Sequence, residues 1–350
     1  MSSRDGGLVR ERDQLAIATR LAGCPVALFP IVRSGRNSRV YRVETAEYRF
    51  ALKLYPAPLD SRDRLYAEVK ALRFLEVAGV ANVPRVIALD GEQGAGLFTW
   101  LDGTMPTALA ESDLDEAVAF LTAVHALRSE RSASDLPLAS EACLSGTEVL
   151  RQVDVRLQRL LEITAEPSLR HFLRESVVRT LSGLRTRVLS WRRGHAGFAE
   201  DLPVERRTLS PSDFGFHNAI RKPEGHLAFL DFEYFGWDDP VKLTSDILLH
   251  PGLSLTERQR ARLRGQLGSL YGRDDSDFSA RLEAYMPLFG VRWVLILLNE
   301  FLPERWERRV RAGEGEDWEA VKSRQIERAC SLMASLGAAD PSASLPETER

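Results

Sequence analysis

The sequence predicts an α+β fold in two parts, a small antiparallel sheet of five strands with one helix and then a mostly helical region. Three observations carry this. The runs "VALFPIVR", "RVYRVET" and "YRFALKLY" are short, rich in Val, Tyr, Phe and Leu, and separated by turn-type residues, the pattern of strands joined by hairpins. The helical repeat "SRDRLYAEVKALRFLEVAG" then precedes two more strand-like runs, "PRVIAL" and "GLFTWL". Beyond "DGTMP" apolar residues recur at spacings of three and four over long windows, as amphipathic helices require.

Taken in order, "RERDQLAIATRLA" reads as a short amphipathic helix ahead of the sheet. In the helix between the third and fourth strands, Leu65, Val69, Leu72 and Leu75 share a face, Ser61 is a candidate N-cap and Gly79 closes the segment. Residues 1–101 thus form an N-terminal lobe with its leading helix, and 102–106 a hinge. A helical lobe covers 107–337. It opens on "SDLDEAVAFLTAVHALRS", capped by Ser112, with Leu114, Ala117, Phe120, Leu121 and Val124 inward. "EVLRQVDVRLQRLLEI", "SLRHFLRESVVRTLSGLRTRVLSW", "SLTERQRARLRGQLGSLYG", "FSARLEAYMPLFGVRWVLILLNEFL" and "DWEAVKSRQIERACSLMASLG" repeat the pattern. A loop and hairpin interrupt it at residues 209–240. Residues 338–350 read as a frayed, Pro-containing tail.

With 350 residues, 44% hydrophobic, the chain has ample material for a core. A net charge of -3 gives no bulk attraction to nucleic acid or to an anionic membrane. Cys24, Cys143 and Cys330 are odd in number and lack metal-ligand spacing, which suits a reducing, cytoplasmic setting. "LAGC" resembles a lipoprotein cleavage box, but the charged segment before it is no signal h-region. The strongest apolar run, "WVLILL", is far short of the roughly 20 residues that span a bilayer. Only five lysines occur among 47 basic residues, so each lysine's position is informative.

No G-x-x-x-x-G-K-[ST] is present, which excludes a P-loop. The other common way to hold ATP uses dispersed parts: a hairpin loop over the phosphates, a strand lysine, a helix glutamate, a D-x4-N loop and a later metal-binding Asp. All occur here in that order. "SGRNSRVY" lies between two strands, and Ser34, Gly35, Asn37 and Ser38 suit a loop whose backbone N–H groups meet phosphate, although an ordinary hairpin turn would read the same. Lys53 alternates with Leu52 and Leu54 on its strand. It is either a solvent-facing lysine or the partner of Glu68 on the following helix, held toward phosphates. In "LSPSDFGFHNAIRKPEGHLAFLDFEYFGWDDP", Asp213 suits the carboxylate that orients an acceptor hydroxyl and takes its proton. Asn218 and Asp231 suit Mg2+, which prefers oxygen donors. His217 either faces substrate or caps the turn. Asp238 reads as solvated, Asp239 as a tie within the catalytic loop, and His125 as a core histidine.

"SDFGFHN" followed by "LAFLDFEYFGWDDP" resembles the aminoglycoside phosphotransferase and choline kinase family, a branch of the protein-kinase-like fold, with its H-G-D-x-x-x-x-N and I-D-[FW]-E motifs. "GRNSRVYRV", "ALKLY", "AEVKALRFL", "FTWLDG" and "LTAVHALR" are similar to that family's segments in the same order, over roughly residues 31–245. The resemblance implies a two-lobed protein-kinase-like fold and the cofactors ATP and Mg2+. It implies that Lys53 contacts phosphates and pairs with Glu68, that Asp213 is the catalytic base, that Asn218 and Asp231 bind Mg2+, and that the backbone near Phe98 and Trp100 holds adenine. The sequence departs from the family where Pro211 and Ser212 replace His and Gly, and where the phosphate loop has one glycine.

The expected activity is transfer of the ATP γ-phosphate to a hydroxyl of a small polar molecule: an amino sugar or aminoglycoside, a sugar, or an amino alcohol. No nucleic-acid or membrane partner is expected, and the oligomeric state is open. The alternative is a catalytically inactive kinase-like nucleotide-binding module. A protein kinase is disfavoured, because Asp231 is followed by Phe232 and Glu233 and no A-P-E segment is present.

Overall fold

The computed structural model describes residues 11–31, 38–55, 63–192, 198–252, 255–311, 315 and 317–338. The chain forms two compact units. The first holds the described residues of Met1–Ser140, Phe216–Gly236 and Arg308–Glu314, the second those of Glu141–Gly215, Trp237–Glu307 and Gly315–Arg350.

The first unit starts with helix α1 (Glu11–Ala22) and strands β1 (Ala27–Pro30), β2 (Arg39–Glu44) and β3 (Arg49–Leu54). Helix α2 (Arg64–Val77), β4 (Val86–Asp90) and β5 (Ala95–Thr99) follow. The strands form one antiparallel sheet, as the alternating runs predict, and their order is β1-β2-β3-β5-β4. Strand alternation divides β3 between two faces. Leu52 is buried with Val43, Ala95 and Leu97 against Ile17 and Ala18 of α1. The leading helix is therefore part of the sheet's core. Lys53 faces the other side, where α2 buries Leu65, Val69, Leu72 and Leu75. Helix α2 is capped by Asp63, whose carboxylate accepts from the Tyr66 N–H at 3.1 Å; the expected cap, Ser61, lies outside the described residues.

After β5 the chain crosses 102–106 and bridges to the hairpin strand Ala219–Arg221. Thr104 and Arg221 exchange backbone hydrogen bonds of 3.1 and 2.8 Å. Gly103 is required there. Its φ is +145°, and an added Cβ would lie 2.2 Å from the Arg221 carbonyl oxygen. Helix α3 (Glu111–Ala126) buries the five predicted apolar positions. Its start is held by Asp113, which accepts from the Ala110 N–H at 2.7 Å, rather than by Ser112, which is exposed in the first turn. The predicted hairpin pairs Ala219–Arg221 with Leu227–Phe229. Phe120 of α3 packs 4.6 Å from Phe229, and Arg221 is bonded by both oxygens of Asp113.

The helices after Ser140 are α4 (Gly146–Leu161), α5 (Pro167–Phe172), α6 (Arg179–Arg192), α7 (Pro240–Leu249), α8 (Glu257–Tyr271), α9 (Phe278–Leu297), α10 (Pro303–Arg311) and α11 (Trp318–Ala338). The helix expected over 168–191 runs continuously as α5 and α6, joined by a π-helical segment, Leu173–Val178. Helices α7 and α10 were not anticipated, because each lies beside the acid- and Pro-rich stretches that read as loops. Helix α9 is the axis of the unit, with α4, α6, α7 and α11 packed on it. With its 3-10 extension it spans Phe278–Phe301, long and apolar enough by composition to cross a membrane, which the six-residue run "WVLILL" understated. About 61% of its apolar window is buried within the protein, as in a core helix.

Glu141 lies in a loop of this unit before α4. It bonds the Arg292 guanidinium at 2.6 Å and pairs with Arg156. Desolvation of its half-exposed side chain raises the carboxyl, but Arg292 and Arg156 beside it outweigh that and hold it at about 2, against an ordinary 4.5. A carboxyl lowered on folding contributes stability above its unfolded value and loses it as pH falls through the folded value. Wild-type stability is therefore expected to drop more steeply than that of Glu141→Gln between pH 4.5 and about 2. Parallel acid-unfolding curves for the two proteins would remove this role.

Candidate active site

In the first unit α2 and the segment after the hairpin converge on one ammonium of β3. Lys53 Nζ lies 2.7 Å from Glu68 Oε2, 2.6 Å from Asp231 Oδ1 and 3.2 Å from Glu233 Oε2. Alternation along β3 sends Lys53 away from the α1 face, and Glu68 sits on the buried face of α2. The pairing expected from the sequence is formed, so the solvent-facing alternative for Lys53 is overturned: the residue is 8% exposed. Burial works against its charge, yet Asp231, Glu68, Tyr55 and Glu233 together outweigh it and raise the amine well above its ordinary range. The Tyr55 hydroxyl donates to Glu68 Oε2, and the Phe232 N–H donates to Glu68 Oε1 at 3.3 Å. Both Glu68 oxygens are thereby fixed.

Asp231 follows the hairpin strand Leu227–Phe229 by two residues, with φ at +66°. This left-handed backbone costs a non-glycine residue energy and turns the carboxylate toward Lys53. Asn218 is tied to the same place through its carbonyl, which accepts from the Leu230 N–H at 2.8 Å. Glu68, Asp231 and Glu233 each offer an oxygen within 4.8 Å of the others. Burial, with Asp231 and Glu68 nearby, pushes the Glu233 carboxyl up despite Lys53 and Arg64. Among the described residues three carboxylates face two cations here, Lys53 and Arg64, the latter 3.8 Å from Glu233. An all-oxygen set with surplus negative charge fits a hard divalent cation such as Mg2+.

Other expected residues are placed as follows. Ser38 is buried, whereas Ser34, Gly35 and Asn37 lie outside the described residues. Phe98 is buried on β5 opposite Ala51, and Trp100 follows β5 with its indole N–H donating to Asp102 at 3.1 Å. His217 sits in a 3-10 turn, Phe216–Asn218. Tyr55 and Arg64 were missed by the sequence reading. Tyr55 was findable, because it lies two residues past Lys53 on the same strand face.

Asp213 belongs to the second unit. Its loop is a tight turn after the strand Thr208–Ser210. Ser212 has φ +68°, its N–H donates to Ser210 Oγ at 3.0 Å, and the Asp213 N–H donates to the Pro211 carbonyl at 3.0 Å. Lys242 of α7 donates to Ser212 Oγ at 3.4 Å. It is buried between Asp238 at 3.0 Å and Asp246 at 3.1 Å, and these carboxylates raise its amine despite burial. Asp238 is thus fully buried and not solvated: it also accepts from the Cys143 and Asp239 N–H groups. Asp239 caps α7 by accepting from the Val241 N–H at 2.8 Å and is bonded by Arg281. Asp213-Phe214-Gly215 spells a D-F-G triplet, but at the D-x4-N position and not at that of Asp231.

The sequence signature of the phosphotransferase enzyme family matches residues 29–280, well over half of the chain. The chain belongs to that family. It is a small-molecule phosphotransferase acting on hydroxyl groups. None of the curated proteins compared matches the phosphotransferase. Among solved structures it is similar to the choline kinase LicA from Streptococcus pneumoniae, at 15% identity and a TM-score of 0.57, over 93% of this chain and 100% of that one. A structure of LicA in complex with AMP is 17% identical with a TM-score of 0.54, over 92% and 98%. A putative aminoglycoside phosphotransferase from Ralstonia eutropha JMP134 is 14% identical with a TM-score of 0.57, over 94% and 99%. At these identities the likeness concerns the fold, which is kinase-like, with a small antiparallel sheet and a mostly helical remainder.

Proposed function

We propose that this phosphotransferase uses ATP with Mg2+ and moves the γ-phosphate to a hydroxyl of a small polar molecule, an amino sugar or aminoglycoside, a sugar or an amino alcohol. The observation that carries the reading is the buried Lys53 ammonium held by Glu68 and Asp231, a pairing of residues 178 apart that no local constraint demands. Lys53 would present its charge to phosphate oxygens, with Glu68 fixing its direction. Asp231 and Asn218 would hold Mg2+, which neutralises charge on the transferring phosphate when bound. The loop containing Ser34, Gly35, Asn37 and Ser38 would cover the phosphates, and the backbone near Phe98 and Trp100 would receive the adenine. Asp213 would orient the acceptor hydroxyl and take its proton. The AMP complex of LicA, and the choline, ethanolamine and aminoglycoside kinases among the structural relatives, support the nucleotide and the range of acceptors.

The test begins with thermal unfolding. Mg·ATP at about 100 times its dissociation constant stabilises by roughly 2.7 kcal/mol. The wild type is expected to show that rise and Asp231→Ala to lose most of it. An ATP-consumption screen over sugars, amino alcohols and aminoglycosides then identifies the acceptor. An unchanged wild-type melting curve in millimolar Mg·ATP would reject the nucleotide reading.

A further inference from the structure

The second unit places an imidazole against Asp213. His250 follows α7 as its C-cap, with its N–H bonded to the Asp246 carbonyl at 2.9 Å. Its Nε2 lies 3.7 Å from Asp213 Oδ1. Nδ1, on the other edge of the ring, accepts from the Gly252 N–H at 3.1 Å. A ring nitrogen that accepts carries no proton, so neutral His250 holds its proton on Nε2, the nitrogen that faces Asp213.

The ring is held from two further directions. Trp293 of α9 meets it edge to face, with centroids 4.7 Å apart at 84°. The Trp293 indole N–H in turn donates to Asp246 Oδ1 at 2.7 Å. At Gly252, an added Cβ would lie 2.9 Å from the His250 Cε1. A glycine at that position therefore leaves the imidazole its place. One face of α7 and its C-cap, through Lys242 and His250, thus addresses two successive residues, Ser212 and Asp213.

We infer that His250 is a positioning residue for Asp213. Its Nε2–H directs the carboxylate of Asp213 toward the acceptor hydroxyl. The inference rests on Asp213 being the proton acceptor. A 3.7 Å separation is longer than a hydrogen bond, and small rotations shorten such contacts when substrate orders the loop. An interaction that aligns the base is felt in the transition state, so its loss lowers kcat and kcat/KM together and leaves nucleotide binding alone.

The experiment uses the full chain and Mg·ATP with water as phosphate acceptor, so it does not wait for the substrate. His250→Ala is expected to lower ATP hydrolysis by about tenfold or more, with the KM for Mg·ATP unchanged. His250→Gln, which places an amide N–H near the Nε2 position, is expected to recover most of that loss. In the Asp213→Asn background, His250→Ala should add nothing. In parallel, imidazole 15N spectra of the wild type should show the Nε2–H tautomer, and Asp213→Asn should shift that resonance. An Nδ1–H tautomer, or a resonance unmoved by Asp213→Asn, overturns the inference even if hydrolysis with water is too slow to follow. Full activity of His250→Ala beside an impaired Asp213→Asn overturns it as well. Full activity of Asp213→Asn itself rejects instead the assignment of Asp213 as base.

Discussion

Asp213→Asn is expected to bind Mg·ATP with near-normal affinity and to transfer phosphate to the acceptor at least about a hundredfold more slowly. The amide keeps the shape of the side chain and can still accept a hydrogen bond, but it cannot take a proton. Orientation and general-base effects are typically worth about 10²–10⁴ in rate. At roughly 1.4 kcal/mol per tenfold this is about 3–5 kcal/mol of barrier. The backbone of the loop is held independently of the carboxylate, through the Ser210, Pro211 and Lys242 contacts, so the variant should fold. Nucleotide binding is read by thermal shift, and transfer by product formation with an acceptor found in the screen. Parallel loss of stability and activity would make Asp213 a structural cap. A wild type that binds Mg·ATP but phosphorylates nothing in a broad screen would make the chain a nucleotide-binding module with no transfer activity.

Lys53→Met is expected to destabilise the metal-free protein by about 3 kcal/mol or more, because removing one partner of a buried pair leaves its charges uncompensated. Here, among the described cations, three carboxylates, Glu68, Asp231 and Glu233, would be left with Arg64. Met retains most of the stem volume, so the loss would not come from a cavity. Millimolar Mg2+ without nucleotide should stabilise the variant more than the wild type, because a divalent cation can supply the missing charge. Denaturant unfolding with and without Mg2+ measures both effects. Wild-type stability in the variant would show that the carboxylates relieve one another by taking up protons, and equal Mg2+ effects in the two proteins would argue against the carboxylate set as a cation site.

The order of elements in the first unit was legible in the sequence because strand and helix periods differ and turn residues mark the joints. The Lys53–Glu68 pair was legible for a related reason. Alternation placed Lys53 opposite the apolar Leu52 face, and the helical repeat placed Glu68 between Leu65 and Leu72. The π-helical segment at Leu173–Val178 was hidden, because it leaves the run helical from end to end and so leaves no break signal in the sequence. The burial of Asp238 was hidden too, because its charge is matched by Lys242 four residues on and by two backbone N–H groups.

By itself the sequence determined the fold class and the order of the parts, and it pointed to residue types suited to phosphate, metal and proton. Those follow from local periodicity and from motif spacing, both of which are properties of short segments. Only the tertiary structure decided that Tyr55 and Glu233 complete the setting of Lys53, that α1 belongs to the core of the sheet, and that Asp213 is met by His250. These pairings join residues far apart in the chain or across a helix turn whose direction a motif does not encode. They are chosen by what remains buried and in need of a partner once the helices and strands have packed.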